Sequence, residues 1–101
     1  MYEVEFHEEA DAEMRAAAAY YEQQVSGLGI EFLDEVDEGL RKIREFPSLW
    51  PVYEGKYRRH LLKRFAYGLI YRVEPERIYI MAVAHLRRRP GYWKKRLKSS
   101  G

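Results

Sequence analysis

The chain has no cysteine at all, which excludes a disulfide framework and any thiolate metal site. No apolar run approaches the roughly 20 residues needed to span a bilayer, so no membrane-crossing helix is expected. A basic-then-apolar leader is missing too, because Glu3, Glu5, Glu8 and Glu9 crowd the N-terminus. These absences point to a cytoplasmic protein. Histidine is scarce, and His7 and His60 lack ligand-like spacing, so neither a metal nor a cofactor is expected. Basic residues are rare in the first half and acidic ones in the second. Through Gly55 there are 14 acidic residues against 4 basic ones; from Lys56 onward 14 basic residues face only Glu74 and Glu76. The net charge of +2 therefore conceals a strongly polarised chain. Such a split either pairs the two halves within the fold or leaves the basic half for an anionic partner.

At 101 residues and 47% hydrophobic content the chain suits one globular domain, expected over 1–98, with 99–101 a disordered tail. Tyr2 to Phe6 alternates apolar and acidic residues, as a half-buried strand does. From Glu8 to Val25 apolar residues recur every three or four positions (Ala10, Met14, Ala17, Ala18, Tyr21, Val25), and four consecutive alanines favour a helix. Ser26, Gly27 and Gly29 punctuate. A second helix carries the stripe Phe32, Leu33, Val36, Leu40, Ile43 and Phe46 and stops at Pro47 and Pro51. So short a link predicts an antiparallel helical hairpin.

The period then changes. Tyr57 to Phe65 reads as a basic strand, and Leu69 to Glu74 and Arg77 to His85 as strands joined by the turn Glu74-Pro75-Glu76-Arg77. Alternation places Ile78, Ile80, Ala82 and Ala84 on one face of the last strand and Tyr79, Met81, Val83 and His85 on the other. Both faces are largely apolar, which predicts a strand inside the sheet. A basic tail or short helix follows from His85 to Lys98. The expected fold is α+β, in the order β-α-α-β-β-β, with the hairpin packed on a mainly antiparallel sheet.

The stretch from Arg58 to Trp93, RRHLLKRFAYGLIYRVEPERIYIMAVAHLRRRPGYW, resembles the RelE/ParE toxin superfamily. The resemblance rests on the basic strand closing in aromatics (Arg59, Leu62, Phe65, Tyr67) and on Ile70-Tyr71-Arg72-Val73. Ala82-Val83-Ala84-His85 and the closing Arg88, Pro90 and Tyr92-Trp93 complete it, and Ala66 departs from the family's usual proline. The resemblance implies the toxin of a type II toxin–antitoxin pair, the plasmid stabilisation type, which arrests growth until a cognate antitoxin binds it. It does not fix the target: RelE-like members cleave ribosome-bound mRNA, whereas ParE-like members poison DNA gyrase.

Metal-free RNA cleavage needs a base, an acid and cations around the phosphorane. Carried over residue by residue, Arg59 falls at a RelE catalytic lysine and Tyr92 at the tail tyrosine, with His85 a further proton-transfer candidate. Leu61 replaces a second lysine, Gly68 stands where a catalytic arginine is kept, and Leu86 or Arg87 falls near another arginine. The catalytic set is incomplete. His85 followed three residues later by Arg88 resembles the ParE branch, so the pattern leans to gyrase inhibition over a metal-independent endoribonuclease. A degenerate member that only binds antitoxin or nucleic acid is the third class. Residues expected to contact a target or nucleic acid are Arg64, Arg72, Arg87, Arg88, Arg89 and Trp93. The three adjacent arginines are expected beside Arg72 or Arg64 at one sheet edge. Each also has a plainer role: His85 as a structural histidine, Tyr92 and Trp93 docked on the core, and the arginine run as a solvated end.

Overall fold

The computed structural model describes residues 2–96; the tail expected over 99–101 lies outside them. Strand β1 (Glu3–Phe6) leads into helices α1 (Glu8–Gln24) and α2 (Leu28–Glu45). Strands β2 (Val52–Glu54), β3 (Tyr57–Leu61), β4 (Tyr67–Val73) and β5 (Arg77–His85) follow, then a single 3-10 turn (Tyr92–Lys95). The five strands form one sheet in the order β1-β5-β4-β3-β2. β1 runs parallel to β5 and every other pairing is antiparallel. The α+β layout is as expected, and β5 lies inside the sheet between β1 and β4.

Local chemistry sets the helix ends. His7 caps α1, its Nδ1 accepting the Glu9 N–H at 3.0 Å, and Glu8, Glu9 and Asp11 occupy the positive end of the helix dipole. Gly27 turns the chain with φ +87°, a conformation that favours glycine, and both its N–H and that of Gly29 donate to the Glu22 carboxylate. Gly29, expected in the link, belongs to the first turn of α2. A Cβ there would sit 2.5 Å from the Ala18 carbonyl oxygen, so the two helices meet backbone to backbone at this point.

Three expectations change. Strand β2 is additional, a three-residue edge joined to β3 through Gly55 at φ +56°. β3 stops at Leu61 rather than Phe65, because the Leu62 N–H turns to the Tyr67 carbonyl and Leu62 and Phe65 fold into the core. The faces of β5 exchange part-way along. Tyr71 pairs with Ile80 but Ile70 pairs with Ala82, so Met81 is the extra residue of a β-bulge. Ile78, Ile80 and Val83 consequently share the helix-facing core with Phe32, Val36, Ile43, Leu69 and Tyr71. Tyr79, Met81, Ala82 and Ala84 turn to the opposite face, where Tyr57, Ile70, Tyr92 and Trp93 form a second core. The C-terminal 3-10 turn is what covers that second face. Among the described residues no helix is long and apolar enough to cross a membrane.

Candidate functional site

Beyond His85 the chain makes a turn held by its own backbone. The Leu86 N–H donates to Ala66, Arg88 to the His85 carbonyl and Tyr92 to Arg89, while Gly91 takes φ +78°. Arg87, Arg88 and Arg89 are exposed on this turn. A small cleft of about 100 Å³ separates the turn from β3, and Arg59, His85, Arg88 and Arg89 all line it. The Arg59 guanidinium lies over the Tyr53 ring at 4.2 Å, and that of Arg88 over the Tyr92 ring at 3.8 Å. Among the described residues no carboxylate forms an ion pair with Arg59, Arg87, Arg88 or Arg89. Glu54, the acidic residue bordering the cleft at Gly91, is paired with Lys94. The cleft therefore carries an uncompensated positive field, suited to an anionic group.

Arg64 and Arg72 do not join it. Arg64 lies beyond β3 and is paired with Glu31 of α2 at 2.5 Å. Arg72 sits at the opposite end of β4, bonded to Glu74 and to the Tyr57 hydroxyl, with only 15% of its side chain exposed. The expected convergence of the arginine run with Arg64 or Arg72 is thus corrected. Arg72 is at the far end of β4, and Arg64, although its loop meets the turn through the Ala66–Leu86 bond, is directed to Glu31; both arginines have acidic partners of their own. Arg59 takes their place.

His85 is half-buried, with its ring edge-on to Tyr67 at 5.0 Å. Its Nδ1 accepts the Arg87 N–H at 3.0 Å, which leaves Nε2 carrying the proton of the neutral ring. Tyr92 is 8% exposed and its hydroxyl donates to Glu13 Oε2 at 2.5 Å. Burial first, and then that bond, raise its pKa well above the usual tyrosine range. Trp93 is 1% exposed, edge-on to Tyr57 at 4.8 Å, and among the described residues its buried indole N–H has no partner. As placed, it offers no surface to a target, because the second face of the sheet needed a large apolar cover.

Sequence reasoning missed Glu13. Its signal was faint but present: an acidic residue three positions after Ala10 and four before Ala17 lies on the buried face of α1. Its carboxylate collects donors from Val83, Tyr92 and Arg96. His60 lies away from the cleft, between Trp50 and α2, its pKa lowered chiefly by burial. Other hollows are larger. One of about 420 Å³ at the start of β1 is lined by Tyr2, Glu3, Pro75 and Glu76; another of about 390 Å³ beside α2 mixes Glu31, Asp34, Glu35 and Glu38 with Lys42, Lys63 and Arg64. Among the described residues no cluster of His, Asp and Glu is placed to hold a metal ion.

Comparison with known proteins accords with this geometry. The sequence model of the ParE toxin of the type II toxin–antitoxin system parDE matches residues 4–90. Among curated proteins no match is found. Among solved structures, a chain of the chromosomal ParDE toxin–antitoxin system from P. aeruginosa superposes with a TM-score of 0.73 at 16% identity. The alignment covers 84% of this chain and 96% of that one, a likeness of fold. With the family pattern spanning the helical hairpin, the sheet and the arginine turn, the chain belongs to the ParE toxin family of type II toxin–antitoxin systems.

Proposed function

We propose that the protein arrests bacterial growth by binding and poisoning DNA gyrase in the cytoplasm, and that a cognate antitoxin neutralises it. The contact surface is the cleft of Arg59, Arg88 and Arg89, together with exposed Arg87 on the same turn. The observation that carries this choice of target is the state of Tyr92. Its hydroxyl is buried, committed to Glu13 and hard to ionise, so it is poorly placed to take the proton of a 2′-hydroxyl or to give one to a leaving 5′-oxygen. Leu61 and Gly68 add no cation on the neighbouring strands. What remains is a set of guanidiniums built for binding.

One feature favours cleavage as a second reading: among the described residues nothing bonds His85 Nε2, and His85 lines the cleft with Arg59 and Arg88. Induced expression in a bacterium separates the two. The gyrase proposal expects intact transcripts, DNA breaks and a DNA-damage response, with Arg87→Ala/Arg88→Ala/Arg89→Ala inactive but folded. Cleaved ribosome-bound mRNA without DNA damage, abolished by His85→Gln, would overturn it.

A further inference from the structure

The arginine turn belongs to no helix or strand; its backbone bonds set its conformation, and side chains seat its far end against the domain. β1 ends at Phe6 opposite Ile80, and the His7 N–H makes the final bond to the Ile80 carbonyl. β5 runs on to His85 with a strand neighbour on one side only. On the other side the Val83 N–H faces away from β4 and would be orphaned. Glu13 Oε1 accepts it at 3.0 Å. The same oxygen accepts Arg96 Nη1 at 3.0 Å, while Oε2 accepts Arg96 Nη2 at 2.7 Å and the Tyr92 hydroxyl at 2.5 Å. Arg96 Nη1 also donates to the Met81 carbonyl at 3.0 Å. One largely buried carboxylate thus ties α1, the open side of β5 and the C-terminal turn at a single point.

We propose that Glu13 is the positioning residue of the basic cleft. By fixing the Tyr92 hydroxyl it sets the plane of the ring on which Arg88 lies, and through that ring the placement of a guanidinium that has no carboxylate partner of its own. This rests on the assignment of the cleft as the toxic surface. The charge is needed as well as the shape. All four groups that reach Glu13 are donors, so a glutamine must turn its NH₂ toward at least one of them, whichever way the amide flips. Removing the carboxylate takes from buried Arg96 its paired, hydrogen-bonded counter-charge and leaves the exposed Glu9, 3.9 Å away, as a weaker one, so the turn is loosened.

The test compares the full-length toxin with Glu13→Gln and with Arg59→Ala/Arg88→Ala/Arg89→Ala. Toxicity is read as the inducer level that halves growth. Arg88 placement is read from the ring-current shift of its side-chain protons over Tyr92, and folding from amide protection at Ile78 to Ile80. In Glu13→Gln the inducer level is expected to rise about tenfold or more, the usual scale for losing a charged hydrogen bond. The Arg88 shift should collapse while amide protection persists. A fully toxic Glu13→Gln beside an inactive arginine variant, or an Arg88 shift that does not move, overturns the positioning role. A fully toxic arginine variant instead refutes the cleft assignment, and the proposal falls with it. Should Glu13→Gln fail to fold, Arg96→Lys keeps one charged bond to Glu13 but not the paired geometry. A smaller loss of shift and toxicity is expected there, and no change in either refutes the proposal.

Discussion

Replacing Trp93 by alanine tests whether this side chain is a contact or a keystone. Its ring is 1% exposed and fills the second core against Tyr57, so truncation removes buried area and leaves a cavity. Substitutions of that kind cost about 3–5 kcal/mol. A domain of 101 residues is stable by about 5–15 kcal/mol, and each kcal/mol moves its melting point by roughly 4–8 °C. Trp93→Ala should therefore melt on the order of 20 °C lower and lose toxicity in proportion to the unfolded fraction. Trp93→Phe should cost much less, about 1–2 kcal/mol, because the indole N–H has no partner to lose. Urea unfolding followed by far-UV circular dichroism gives both values. Growth assays at a temperature where each variant is folded complete the test. A Trp93→Ala protein that melts within a few degrees of the parent yet is harmless would show that the ring acts at the surface, and would refute the burial argued from the second core.

At the helix crossing, Gly29→Ala is expected to destabilise by about 1–3 kcal/mol, since its Cβ meets backbone that cannot give way; an unchanged urea midpoint would exclude the close approach. His60 titrates below its ordinary range because burial, and then Lys42, disfavour its charged form, with Lys63 adding to this and Glu35 opposing it. The unfolded chain thus binds the proton first. Stability should fall as pH drops below about 6.5, until His60 is protonated in the fold as well. His60→Gln should flatten the slope between pH 7.5 and 5.5, and an equal slope in both proteins would contradict the assignment.

What the sequence discloses depends on how each feature is encoded. Both helices and the β4–β5 hairpin are written in periodicity and turn residues, so they could be placed within a residue or two. The bulge at Met81 leaves no such mark, because Met81 and Ala82 are both apolar and a change of phase between them is silent. β2 is held by pairing with β3 and is too short for a pattern of its own. For the site, the arginine run and His85 were evident by type. Which cations they would meet was not, since Arg64 and Arg72 are claimed by Glu31 and Glu74 through contacts that spacing does not predict. Tyr92 and Trp93 left surface and core equally open, and the bare second face of the sheet decided for the core.

The parallel pairing of β1 with β5 has a kinetic consequence. Glu3 finds its partner at Arg77, across nearly three-quarters of the chain, whereas the helical hairpin and the β4–β5 hairpin close locally. Loop closure makes such a contact slow even when it is stable. β1, made well before the strand it pairs with, is therefore the last to be seated. Until it docks, β5 presents an open edge along Ile78 and Ile80, which is the stretch most exposed to mispairing in a newly made chain.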